Sequence, residues 1–130
     1  MSICGTGVDI IEISRFKNLI KKHGDRFINR VFTKNEIHYC QKKSDNGAAS
    51  YSARFAAKEA LFKAIGTGLR DGLSWKDIET INNKLGNPYF NFYGKTAKII
   101  EKRKVHLTIS HSQENSVAFV IIEGEDFSHD

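Results

Sequence analysis

Apolar and polar positions change period several times along the chain. Residues 3–13 carry Val8, Ile10, Ile11 and Ile13, β-branched bulk that favours an extended strand, with Gly5 and Gly7 allowing close backbone approach. The two-residue alternation puts Asp9 on the face of Ile11 and Ile13. A carboxylate on an apolar face is costly unless paired or metal-bound, so Asp9 stands out. The period then lengthens. Ser14 is placed to cap a helix with the stripe Phe16, Leu19, Ile20 and His23, and Gly24 to end it. Thr33-Lys34-Asn35-Glu36 has capping-box spacing and opens a second helix carrying Ile37 and Cys40 inward. After a polar break at 44–47, a third helix begins at Ser50 or Ser52. It runs to about Ile65, where Gly66-Thr67-Gly68 stops it.

Beyond Gly72 short strands dominate. Residues 77–81 and 89–93 read as strands around a turn at 82–88, and residues 96–104 as a short amphipathic helix. Residues 105–109 form a strand, 110–115 a turn and 117–123 an apolar final strand; 124–130 read as a frayed tail. A strand, then helices, then mostly strands predicts an α+β fold with helices on an antiparallel sheet, in one domain spanning 1–130.

The third helix holds the most chemistry. Phe55, Phe62 and Ile65 mark a packed side, while Glu59 and Lys63 are four apart and share a face. Such a pair is also an ordinary surface ion pair. Asp9 changes its weight: one strand carboxylate and one helix carboxylate suffice for a hard cation such as Mg²⁺, which completes its shell with phosphate and water. Lys63 would then bind a phosphate beside it. His111 lies where a strand ends, and a lone histidine there is more often structural or solvated than functional. Gly66-Thr67-Gly68 permits close approach of a ligand but is also a common helix stop, and Gly86-Asn87-Pro88 is most simply a turn.

Charge is uneven. The chain has 20 basic and 15 acidic residues in 130. Residues 15–43 hold nine basic residues against Asp25 and Glu36, a net +7, which leaves −2 for the remainder. A solvated face is the simplest reading of this segment, although +7 is a large imbalance for one, and an anionic partner fits it too. No run approaches the roughly 20 apolar residues of a membrane span, and the first residues lack the order of a signal peptide. Cys4 and Cys40 make neither a disulfide framework nor a zinc motif, so reduced thiols in the cytoplasm are expected.

Three longer stretches carry a resemblance. Residues 7–16 (GVDIIEISRF), 54–64 (RFAAKEALFKA) followed by Gly66-Thr67-Gly68, and 107–112 (LTISHS) resemble, in order, the motifs of the holo-[acyl-carrier-protein] synthases, short bacterial 4′-phosphopantetheinyl transferases. Asp77-Ile78-Glu79 and Gly86-Asn87-Pro88 also fall in sequence with them. The resemblance implies a 4′-phosphopantetheinyl transferase-like fold. It also implies Mg²⁺-dependent transfer of phosphopantetheine from coenzyme A to a serine of apo-acyl carrier protein, in support of fatty acid biosynthesis. It places the metal ligands at Asp9 and Glu59, and a catalytic, phosphate-binding lysine at Lys63. Coenzyme A contacts fall on Arg54, Lys63, Gly66, Thr67, Gly68, Gly86, Asn87, Pro88 and His111. Asn87 stands where the family usually has Lys. Carrier docking falls on Arg15, Leu19, Lys22, Arg26 and Phe27, within the basic third. The family's habit is a homotrimer with each site between two subunits, the carboxylates on one and the histidine side on its neighbour; a chain this short gains from association. Two rivals stand beside this reading. A small basic nucleic-acid-binding module leaves Asp9 unexplained and lacks basic residues between Tyr89 and Tyr93. An inactive carrier-binding relative would have no need of Asp9, Glu59, Lys63 and His111 together.

Overall fold

The computed structural model describes residues 2–66 and 73–127. The order is β1 (Ile3–Glu12), α1 (Ile13–Val31), α2 (Lys34–Gln41), α3 (Ala48–Ile65), β2 (Ile78–Asn82), β3 (Pro88–Phe92), α4 (Gly94–Ile100), β4 (Lys104–His111) and β5 (Asn115–Glu123). Single turns of 3₁₀ helix at Asp45–Gly47 and Trp75–Asp77 lead into α3 and β2. Strands β1, β5 and β4 form one antiparallel sheet in that order, and β2 pairs with β3 in a separate ribbon. This is the expected α+β arrangement.

Helix α3 lies on the sheet at unusually close range, and the sequence explains how. A Cβ on Gly5 would stand 2.1 Å from the Ala64 carbonyl oxygen, and one on Gly7 2.0 Å from that of Ala60. Glycine on the strand and alanine on the helix (Ala56, Ala57, Ala60, Ala64) let the backbones meet. Val120 and Ile122 of β5 and Ile78 of β2 join the same core. A second core, on the far side of α3, gathers Phe16, Phe27, Phe32 and Tyr51. Phe55 stacks on Phe16 at 5.4 Å and meets Trp75 at 5.0 Å, joining the two cores. The expected one-sided packing of α3 is therefore corrected. Most of the helix is buried; Lys63 is its exposed residue, and Ala49, Ser50, Phe55 and Glu59 are half-buried.

Some local expectations shift. Helix α1 starts at Ile13, with Glu12 rather than Ser14 at its N-cap position. Gly24 breaks the helix at φ 61°, as expected, but helical backbone resumes to Val31 because Phe27, Ile28 and Val31 bury another apolar stripe. The third helix opens at Ala48, and the fourth ends at Ile100, so Lys104 begins β4. Residues 124–127 are anchored, not frayed: Gly124 N–H donates to the Ser2 carbonyl at 2.9 Å and the Arg103 guanidinium lies over the Phe127 ring.

Among the described residues nothing covers the sheet's other face. Val8 pairs with Phe119 and Ile10 with Val117 there, and Val8, Ile10 and Phe119 are 52%, 65% and 42% exposed. No helix among the described residues is long and apolar enough to cross a membrane.

Candidate active site

Asp9 follows Gly7 along the inner face of β1, where the glycines bring the strand against α3. One turn of α3 separates Glu59 from Lys63, so both project at the strand's Asp9. The Lys63 ammonium donates to Asp9 Oδ1 at 2.9 Å and to the Val8 carbonyl at 3.1 Å. Asp9 is 17% exposed in its side chain and Lys63 54%. Burial pushes the Glu59 carboxyl above its ordinary range; the Asp9 charge adds to this and Lys63 opposes it. Two carboxylates held in mutual repulsion beside one ammonium form an oxygen-donor set suited to a hard cation. Among the described residues no group of three or more His, Cys, Asp or Glu side chains gathers for a metal. A pair is nevertheless what Mg²⁺ takes when phosphate and water supply the rest of its shell.

Arg54, Gly86, Pro88 and His111 meet elsewhere, around a cavity of about 430 Å³ also lined by Tyr39, Lys43, Ser50 and Asn82. Arg54 is 5% exposed. It donates to Ser50 Oγ at 3.2 Å and to Asn82 Oδ1 at 2.5 Å, while its Nε is buried without a partner. Asn87 holds the hairpin turn, donating to Asn83 Oδ1 at 3.0 Å, and lies off the cavity lining. His111, Ser44 and Ala49 also border a larger neighbouring cavity of about 1130 Å³ that runs past Glu12, Lys17 and Ser112. Asp9, Glu59 and Lys63 line neither cavity. One chain thus presents two separate halves: a carboxylate–lysine cluster and a cationic cavity.

Gly66 is the left-handed residue that closes α3, at φ 95°. Thr67 and Gly68 lie outside the described residues. Of the residues expected to dock a carrier, Arg15, Lys22 and Arg26 are exposed on α1. Arg15 and Leu19 border a groove of about 650 Å³ with Ile10, Phe16 and Phe55. Phe27 is 9% exposed and packs edge-on to Phe16 at 5.7 Å, on the buried side of α1. Sequence reasoning missed Tyr39, Lys43 and Asn82. Lys43 follows Tyr39 by four residues, a helical-face signal hidden within the general basic excess.

Comparison with known proteins agrees with this architecture. A family model of the 4′-phosphopantetheinyl transferase superfamily matches residues 5–120, and the chain belongs to that superfamily. Its similarity runs to one named kind of member. The holo-[acyl-carrier-protein] synthase of Koribacter versatilis is 46% identical over 124 residues, covering 93% of this chain and 98% of its own. The crystal structure of the Bacillus anthracis holo-(acyl-carrier-protein) synthase, in complex with CoA (3′,5′-ADP), is 37% identical with a TM-score of 0.80, covering 95% of this chain and 98% of its own. That of Neisseria meningitidis is 33% identical with a TM-score of 0.87, covering 95% and 100%.

Proposed function

We propose that this protein transfers 4′-phosphopantetheine from coenzyme A to a serine of apo-acyl carrier protein, releasing adenosine 3′,5′-bisphosphate. The observation that carries this reading is the meeting of Asp9, Glu59 and Lys63 on a chain of this superfamily. The serine hydroxyl gives up its proton to a base at the site as its oxygen bonds to the phosphorus that bears pantetheine. The bond from that phosphorus to the bisphosphate oxygen breaks, its electron pair leaving with the bisphosphate. The protein's task is to place these groups and meet the negative charge that grows on the leaving phosphate.

Asp9 and Glu59 would hold Mg²⁺, which when bound supplies charge neutralisation at the pyrophosphate. Lys63, kept over β1 by Asp9 and the Val8 carbonyl, offers its remaining N–H to a phosphate oxygen. Arg54 and His111 receive the other end of coenzyme A, with Gly86 and Pro88 as the cavity's wall and Gly66 to Gly68 near the pantetheine arm. Arg15, Leu19, Lys22 and Arg26 form the landing face for an acidic carrier, matching the +7 of residues 15–43.

The separation of the two halves supports a homotrimer in which the carboxylates of one subunit face the histidine side of its neighbour. The bare apolar face at Val8, Ile10 and Phe119 is the surface available for that contact. We place the whole domain, 1–130, in the cytoplasm and in fatty acid biosynthesis. The test is intact-mass analysis of an apo-carrier incubated with the protein, coenzyme A and Mg²⁺. A gain of one phosphopantetheine is expected, and no gain across several bacterial carriers overturns the reading.

A further inference from the structure

The cavity half of the site contains an aromatic device that the transfer chemistry does not use. The Arg54 guanidinium carbon lies 4.0 Å from the Tyr39 ring centre, and the Lys43 ammonium lies 4.6 Å from the same centre. One ring therefore serves two cations, both of which line the cavity of about 430 Å³ together with His111. Among the described residues no carboxylate lines that cavity or pairs with Arg54. Side by side, two uncompensated cations repel, and Lys43 on its exposed, flexible stem would swing into solvent. The electron-rich ring face offsets this repulsion and keeps both charges turned to the same space.

We infer that Tyr39 is a positioning residue that holds Lys43 and Arg54 together as a seat for a doubly charged phosphate monoester, giving the site its preference for a nucleotide with a phosphate beyond the pyrophosphate. The inference rests on the reading of coenzyme A as donor. The pyrophosphate belongs with Asp9, Glu59 and Lys63, where a divalent cation can offset it. A terminal monoester, with two charges and no metal, suits a seat made of fixed cations.

Nucleotide binding tests this apart from transfer. Calorimetry would compare adenosine 3′,5′-bisphosphate with adenosine 5′-monophosphate on the wild type, Tyr39→Leu and Tyr39→Phe. Tyr39 is 36% exposed, so its replacement should leave the fold standing, as thermal melts would verify. The wild type should favour the bisphosphate. Tyr39→Leu should lose roughly five- to tenfold on the bisphosphate alone, the scale of paired cation–π contacts. Tyr39→Phe, which keeps the ring face, should bind as the wild type does. Parallel weakening of both nucleotides in Tyr39→Leu, unchanged bisphosphate affinity in that variant, or equal damage in Tyr39→Phe would overturn the role. The expected nucleotide pattern in a protein that fails to modify any carrier would overturn the transferase reading and leave the seat in place. In the active enzyme the same change should raise KM for coenzyme A, leaving kcat and the KM for dephospho-coenzyme A unmoved.

Discussion

Lys63 crosses from α3 to β1 to donate 2.9 Å to Asp9, rather than serving as a free surface partner for Glu59 one turn away. The consequence is a division of labour. Asp9 positions the ammonium, while Glu59 keeps a carboxylate whose pKa burial and the Asp9 charge both raise. Asp9→Asn and Glu59→Gln should each reduce Mg²⁺-dependent transfer by about 100-fold or more, the scale of losing several kcal/mol of charge stabilisation. Melting temperatures should change little, because Lys63 is half exposed in its pair with Asp9 and neutralising Glu59 relieves a repulsion. Full Mg²⁺-dependent transfer in either variant, read by intact mass, would remove the carboxylates from the metal site.

The close seating of α3 gives a second expectation. Gly7→Ala would force a Cβ to 2.0 Å from the Ala60 carbonyl oxygen, a backbone atom with no rotamer to yield. Strand β1 must then lift from the helix. Overpacking of this kind costs about 1–3 kcal/mol or more. It would also carry Asp9 away from Glu59 and Lys63. We expect a lowered melting temperature together with a fall in kcat larger than the stability loss explains; normal kcat in a folded Gly7→Ala protein would show that β1's distance from α3 does not set the site.

Behind the site, Lys58 is wholly buried. Its ammonium lies 2.8 Å from Glu36 Oε1 and donates to the carbonyls of Trp75 at 2.9 Å and Ile78 at 2.5 Å. Burial pushes this lysine below its ordinary range, opposed by Glu36. Glu36 Oε2 in turn accepts from Thr80 N–H at 2.9 Å. The pair thus pins α2, α3 and β2 together. Lys58→Met strands Glu36 as a buried charge, and breaking such pairs costs about 3–5 kcal/mol. Urea denaturation should show that loss, and Glu36→Leu added to Lys58→Met should recover part of it. No recovery in the double variant would mean the hydrogen bonds to backbone, not the uncompensated charge, carry the effect.

These particulars show what was legible in the sequence. Asp9 could be read because a strand's alternation is strict and a carboxylate on its apolar face breaks it. The capping box could be read because it is local: Thr33 N–H donates to Glu36 Oε1 at 2.9 Å and Glu36 N–H to Thr33 Oγ1 at 3.3 Å. Glu36's second partner, Lys58, could not, since their approach depends on how α2 packs across α3. The burial of Phe27 was hidden for a related reason. Its place on the docking face came from the resemblance alone, and no local period shows that the helix resumes after Gly24 and turns the ring inward. The Tyr39–Arg54 contact joins α2 to α3 across a tertiary gap that no local period records.

Glu79 offers a pH test outside the site. Burial works to raise its carboxyl, but hydrogen bonds from Thr33, Tyr93, Asn35 and Asn91 outweigh it, and the pKa is lowered. Thr33 Oγ1 donates to it at 2.6 Å and the Tyr93 hydroxyl at 3.1 Å. A carboxyl depressed in the folded state adds stability that is fully present above its unfolded pKa, about 4.3. That stability is lost as pH falls through the folded value. Chemical denaturation from pH 7 down to pH 3 should therefore show an acid limb that Glu79→Gln flattens. An unchanged limb in that variant would assign the acid sensitivity to other carboxylates.

The bare outer face of the sheet leads to the most consequential expectation. Val8 and Phe119 face each other across β1 and β5, with Ile10 beside them, and all three are exposed in the single chain. An exposed Ile10 contributes nothing to the monomer, so replacing it should leave the melting of an isolated chain unchanged. In an assembly its burial is worth about 1.5–3 kcal/mol, and an unpaired carboxylate in its place opposes assembly by more. Light scattering should find the wild type as a trimer and Ile10→Asp as a monomer. Because the cationic cavity and the Asp9–Glu59–Lys63 cluster are separate within one chain, transfer should fall with assembly. Mixing Ile10→Asp with excess wild type would then restore little activity to the variant's own sites. A wild type that is monomeric and fully active, or a monomeric Ile10→Asp that transfers at the wild-type rate, would place the complete site within one chain. The two halves would then have to be brought together by coenzyme A itself.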